Sequence, residues 1–128
     1  MLGVPKAAKG IVLFAHGSGS GRFSPRNNFV AEAMREAALA TLLLDLLTEE
    51  DARDRRNVFD IRLLAERLLM ATPWVKQAPD TSPLPVCYFG ASTGAAAALV
   101  AAASGDWPVA AIVSRGGRPD LALSLIHI

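Results

Sequence analysis

The chain has 128 residues, 13 basic against 12 acidic for a formal net charge of +1, a single cysteine and 52% hydrophobic residues. That length and apolar content suit one globular domain with a buried core, and the near-even charge, with no basic run interleaved with aromatics, argues against a nucleic-acid partner. No apolar run approaches a membrane span, residues 1–10 lack the apolar stretch of a secretory signal, and Cys87 cannot form an internal disulfide, so the expectation is a cytoplasmic protein without a membrane partner.

Ile11-Val12-Leu13-Phe14-Ala15 is a continuous apolar run of the kind found in parallel strands covered on both faces. It leads into His16-Gly17-Ser18-Gly19-Ser20-Gly21-Arg22, a loop too rich in glycine to be helical and suited to presenting backbone amides to an anion. Ser24-Pro25 supplies an N-cap with proline at the first helical position, and Phe29, Val30, Ala33, Met34 and Ala37 predict the buried stripe of a helix over residues 25–38. Leu39 to Leu44 reads as a second strand. Asp45 stands at its C-terminal end, where open α/β sheets hold their sites, which makes it a minor candidate.

Residues 48–57 are dense in both signs of charge and predict a solvated excursion; Val58, Ile61, Leu64, Ala65 and Leu68 then recur at helical spacing. Thr72-Pro73 predicts a break or kink in that helix, with residues 74–77 as a further turn and residues 77–83 as loop. Cys87 lies in the next apolar run and reads as a small buried hydrophobe. After a helical stretch ending near Ser104-Gly105-Asp106, Val109 to Val113 is the fourth apolar strand. Strands alternating with helices predict an α/β fold, a three-layer αβα sandwich on a mostly parallel sheet.

The stretch from Pro85 to Ala103 carries the chemistry. A short apolar run, then Gly90-Ala91-Ser92-Thr93-Gly94, then an alanine-rich helix former predict strand, sharp turn and helix. The G-x-S-x-G spacing places a serine on a strained strand-to-helix turn whose neighbours must be small, with Gly90 and Gly94 supplying the room. Ser92 is then a candidate nucleophile, and the amide of Thr93 at the helix N-terminus a candidate oxyanion donor. An ordinary tight strand-to-helix turn has the same composition, and the pentapeptide alone leaves both readings open.

Together, the strand ending in His16-Gly17-Ser18-Gly19 and the later strand ending in Gly90-Ala91-Ser92-Thr93-Gly94 resemble the α/β-hydrolase fold, and in particular its dienelactone hydrolase-like branch, over nearly the whole chain. The resemblance implies a serine hydrolase acting on a small ester, lactone or related acyl bond, with Ser92 as nucleophile and no cofactor or metal. It places the second oxyanion donor at the amide of Ser18 or Gly17, beside Thr93. It gives His16 a structural role, because the fold's order is serine, acid, histidine and His16 precedes Ser92. Relatives with Ser24-Pro25-Arg26-Asn27 after the oxyanion loop are sometimes fused to a phosphoribosyltransferase domain, of which nothing is expected in this chain.

The departures from that pattern are equally specific. Only Asp106, Asp120 and His127 follow Ser92; Asp106 falls at the wrong end of the sheet, Asp120 comes one strand early, and the seven residues to His127 cannot hold the missing strand and helix. The fold's initial antiparallel strands are expected to be missing, because only ten residues precede Ile11. The expectation is a partial hydrolase domain over residues 1–122 with an atypical tail at 123–128, inactive on its own and prone to self-association through an unpaired sheet edge. Arg22 and Arg26, bracketing the oxyanion loop and the start of its helix, are candidate contacts for an anionic substrate group.

Two other classes remain. Gly90 to Gly94 also resembles the glycine turn of short-chain dehydrogenases, with Arg115 placed to meet a 2′-phosphate. Ala95 and Ala96 stand where the last glycine is expected, however, and two strand-helix units precede the turn. A non-catalytic binding module, with every glycine loop serving as a turn, is the third reading.

Overall fold

A computed structural model describes residues 1–117 and 119–122. Its five strands form one sheet in the order β1-β3-β2-β4-β5, where β1 is Leu2–Gly3, β2 Ile11–Ala15, β3 Ala40–Leu43, β4 Val86–Ala91 and β5 Val109–Arg115. All pairings are parallel except β1 with β3, which is antiparallel. That short β1 corrects the expectation that no antiparallel strand precedes Ile11: Leu2 and Gly3 pair with Leu42 and Thr41, and the Met1 amino group donates to Leu43 O. Unpaired backbone groups on β3 are thereby satisfied.

The apolar run of β2 is buried at every position, and its side chains divide between two cores. Ile11, Leu13 and Ala15 join Leu64, Leu68, Ala97 and Tyr88 on one face; Val12 and Phe14 join Ala31, Leu43 and Phe89 on the other. Period-two alternation in a strand covered on both faces produces this division, and it makes β2 the centre of a three-layer αβα sandwich. The first face carries α4, Ile61–Gln77, and α5, Thr93–Ser104; the second carries α1, Pro25–Glu36.

Helix α1 starts as expected, with Ser24 Oγ accepting from Asn27 N and proline in the first turn. Its buried face differs from the expected one. Phe29 is 74% exposed and Ala33 and Ala37 face solvent, whereas Asn27 and Ala31 are buried beside half-buried Val30 and Met34. The true stripe runs through a polar residue, Asn27, which a search for apolar residues passes over. Residues 48–57 also do more than make a solvated excursion, since they form α2, Glu49–Ala52, and α3, Arg55–Val58. Thr48 and Asp51 make a reciprocal capping box that satisfies the first of these.

Pro73 does not end α4, which runs unbroken to Gln77. The proline removes one backbone bond, but Leu68, Thr72 and Val75 are all fully buried against the sheet, and Thr72 Oγ1 both donates to Leu68 O at 3.0 Å and pairs with Tyr88 OH at 2.7 Å. Burial along that face outweighs the roughly 3 kcal/mol a proline costs in a helix interior. Among the described residues, no helix is long and apolar enough to cross a membrane. The tail over residues 123–128 and Arg118 lie outside the described residues.

Candidate active site

The turn between β4 and α5 is strained at one residue. Ser92 has φ 56° and ψ −124°, a conformation that side-chain-bearing residues rarely adopt. The neighbouring glycines are obligatory. A Cβ on Gly90 would meet Ala95 Cα at 2.5 Å and Gly94 O at 2.6 Å, and one on Gly94 would run into the backbone oxygens of Ala15 and His16. The second contact locks the start of α5 onto the end of β2, so the serine turn and the His16–Gly17 loop form one packed unit. Ser92 is half-buried and makes no side-chain cap for its own helix, and the first amides of α5 have no intrahelical acceptor.

Gly17 joins the loop to the serine: a Cβ there would stand 2.9 Å from Ser92 Cβ. Two cavities meet at Gly17. The larger, 690 Å³, is lined by Gly17, Ser18 and Thr93, with Leu47, Val58 and Leu64 as apolar wall. The smaller, 460 Å³, holds Ser92 with Ser20, Arg26, Asn27 and Arg115. The residues singled out from the sequence as nucleophile and oxyanion donors therefore come together around one glycine.

His16, 7% exposed, uses both ring nitrogens. Nε2 accepts from Leu46 N at 2.9 Å, which leaves the ring proton on Nδ1 to donate to Gly17 O at 2.9 Å. The imidazole thereby ties the exit of β3 to the loop beside Ser92, and neither nitrogen is open to take a proton from a serine. It is the only histidine among the described residues, His127 lying outside them. Asp106 sits in the exposed turn before β5, at the end of the sheet remote from Ser92, and Asp120 in a short 3₁₀ turn, Pro119–Ala122, packed on α5.

The two candidate anion contacts fare differently. Arg22 is engaged by Asp45: its backbone N–H donates to Oδ1 at 2.6 Å and Nη1 lies 3.0 Å from Oδ2. The pair is largely exposed and worth at most about 1 kcal/mol, but it neutralises the Arg22 charge and gives the strand-end Asp45 a structural use. Arg26 is exposed at the mouth of the smaller cavity.

Two further residues of this wall are Asn27, which no sequence motif marks as functional, and Arg115, which the sequence places only as a nucleotide contact. Asn27 is 2% exposed with Oδ1 unpartnered, and Arg115, whose guanidinium lies 5.7 Å from the Phe89 ring centre, has Nη1 buried without a partner among the described residues. Orphaned buried polar atoms each cost about 1–3 kcal/mol, so this wall carries polar groups whose hydrogen bonds the described residues leave unmet. The signal available for Arg115 was its place at the C-terminal end of the strand next to the serine strand.

Beyond the larger cavity, α2 and α3 form a roof. Arg67 on α4 holds it, donating to Asp51 Oδ2 at 3.0 Å and Leu46 O at 3.3 Å. The Thr48 amide and hydroxyl, then Arg67, hold the Asp51 carboxyl below the usual carboxylate range. Cys87 is half-buried in β4, where burial pushes its thiol up, away from nucleophilic use.

No family model matches the chain. Among solved structures, a dienelactone hydrolase from Anabaena variabilis is 61% identical with a TM-score of 0.91, over 97% of this chain and 59% of that one. The chain has an α/β-hydrolase fold. Two more distant structures share this hydrolase fold: an α/β hydrolase from a Penicillium species (TM-score 0.74, 23% identical, 88% of this chain and 39% of that one) and a carboxyl esterase from Bacillus coagulans (0.68, 22%, 88% and 37%). Proteins from two strains of Mycobacterium tuberculosis, provisionally named phosphoribosyl transferases, are 64% identical over 121 residues. That match covers 94% of this chain but only 27% of either relative, so the hydrolase-fold chain spans about a quarter of their length.

Proposed function

We propose that this chain carries the nucleophile and oxyanion hole of a serine hydrolase that cleaves a small ester, lactone or related acyl bond. The observation that supports this most is the conformation of Ser92, held at φ 56° between two glycines that admit no side chain. A turn needed only to reverse the chain has no cause to put that strain on serine rather than glycine; the cost is of order 1–3 kcal/mol and recurs at functional residues. On this reading Ser92 Oγ attacks the carbonyl carbon, and the amides of Thr93 and of Ser18 or Gly17 receive the charge that develops on oxygen. The carbonyl carbon–oxygen ester bond breaks as the carbonyl re-forms, the alcohol leaves with a proton, and water then hydrolyses the acyl-enzyme to the carboxylic acid and free Ser92.

The Ser92 proton must pass to a base at hydrogen-bond distance, and His16 is fully engaged elsewhere. Turnover is therefore proposed for this chain joined to the remainder of a hydrolase fold, and the chain alone is proposed to be inert. Arg26 at the smaller cavity favours substrates with an anionic group, whereas Arg22, matched by Asp45, contributes less. Phosphoribosyl transfer is proposed to belong to the part of the M. tuberculosis relatives that this chain does not match. The chain's site of action is proposed to be the cytoplasm.

The test is hydrolysis of a chromogenic short-chain ester. This chain should be indistinguishable from its Ser92→Ala form, while a chimera adding the part of the Anabaena protein that the chain does not cover should hydrolyse the ester. Loss of the triad in serine hydrolases costs on the order of a millionfold, so Ser92→Ala should silence the chimera. Activity that survives the substitution would falsify the assignment. Replacing Arg22 and Arg26 by glutamine should shift the chimera's preference from anionic toward neutral esters.

A further inference from the structure

Thr93 follows the proposed nucleophile and lines the larger cavity together with Gly17 and Ser18. It is 3% exposed, and its Oγ1 is sealed from solvent without a hydrogen-bond partner among the described residues. A threonine inside a helix ordinarily bonds the carbonyl three or four residues earlier. For Thr93 those residues are Gly90 and Phe89, in β4, where no such acceptor is presented. Its hydroxyl also does not cap the helix, because the cap position belongs to Ser92. Valine has the same shape and would fill this place without burying an unpaired polar atom. The described residues therefore give the hydroxyl no use of its own.

We propose that Thr93 is a specificity-determining residue whose hydroxyl selects substrates with an oxygen on the acyl group next to the scissile carbonyl. The inference rests on the hydrolase reading. If the Thr93 amide receives the developing oxyanion, the carbonyl lies between Ser92 and Thr93 where the two cavities meet at Gly17, and on this reading the acyl group enters the larger one. The wall beyond includes apolar Leu47, Ala52, Val58 and Leu64 beside polar Thr48, Glu49 and Arg67; Asp51 and Leu46 O already engage Arg67. A turn about the Cα–Cβ bond exchanges the hydroxyl and methyl groups, both rotamers being accessible to threonine, and selection requires the one that turns Oγ1 toward the acyl group. A hydroxy-, alkoxy- or oxo-substituted acyl group would then pair with it, whereas a hydrocarbon chain of equal length would leave it orphaned. A buried polar group left unpaired is what lets a site reject an isostere lacking the matching atom.

Two measurements test this. In the chain as it stands, Thr93→Val should raise the thermal midpoint by about 4 °C, since it removes an unsatisfied buried hydroxyl. An unchanged or lowered midpoint would mean that the hydroxyl is already used in the fold, and would overturn the proposal. In the chimera with the Anabaena remainder, the nitrophenyl esters of methoxyacetate and butyrate differ by one oxygen in place of one methylene. The ratio of their kcat/KM values should fall about tenfold in Thr93→Val, equivalent to ~1.4 kcal/mol, and be kept in Thr93→Ser. A ratio unmoved by Thr93→Val in an active chimera overturns this proposal alone. A chimera without Ser92-dependent hydrolysis of either ester overturns the hydrolase reading and this proposal with it.

Discussion

Gly17 lies so close to the serine turn that a Cβ on it would stand 2.9 Å from Ser92 Cβ and 3.1 Å from Ala91 O. The loop that follows β2 is therefore seated directly on the residue that follows β4. Gly17→Ala should push the loop outward by a few tenths of an ångström and misplace its amides. In the chimera the expected loss of kcat is about a hundredfold, typical of sub-ångström misplacement or of one lost oxyanion donor. Ester kinetics beside a thermal melt will separate this from unfolding, and unchanged kcat would show that the loop takes no part in the hole.

Two glycines of the same region should respond in opposite measure. Gly94 touches the backbone oxygens of Ala15 and His16, which cannot swing aside as a flexible side chain would, so Gly94→Ala should destabilise by more than about 3 kcal/mol. Gly19 has φ +73° and nothing within 4 Å of its would-be Cβ, so Gly19→Ala should cost only about 1 kcal/mol of backbone strain. Urea midpoints of the two variants measure the contrast.

His16 is a tie between strands. Its removal leaves Leu46 N–H without its partner in a buried setting, a cost of about 1–3 kcal/mol, while Gly17 O keeps the bond it accepts from Ser20 N at 3.2 Å. His16→Ala should thus lower stability by about 1–3 kcal/mol in urea unfolding. Faster amide exchange at Leu46 than in the parent, compared under native conditions, is the local signature. An exchange rate that does not change would contradict the Nε2 bond.

At the edge of the sheet, β5 pairs with β4 and with no other described strand, and it exposes Ala110, Ala111 and 48% of Val113. Long apolar edges recruit further strands unless a charge blocks them. The chain should associate at on the order of tens of micromolar, where exposed edges commonly act. Val113→Lys should restore the monomer in sedimentation, and a compact monomer of the unmodified chain would refute the expectation.

The sequence by itself determined the strands β2, β3 and β4, the start of α1 at Ser24-Pro25 and the serine turn. Each of these is local. Apolar runs with no polar face must be covered on both sides, a capping serine satisfies amides three residues away, and G-x-S-x-G leaves room where a neighbouring Cβ would collide. Tertiary structure decided the rest. Asn27 turns inward and Phe29 outward because the sheet, not the helix, sets which side of α1 is covered. Helix α4 passes through Pro73 because the sheet buries Leu68, Thr72 and Val75 on either side of it. Arg22 loses its free charge to Asp45, 23 residues away, and Arg115 reaches the Ser92 cavity from the neighbouring strand. Those outcomes depend on which distant residues the sheet order brings together, and no short window of sequence contains both partners.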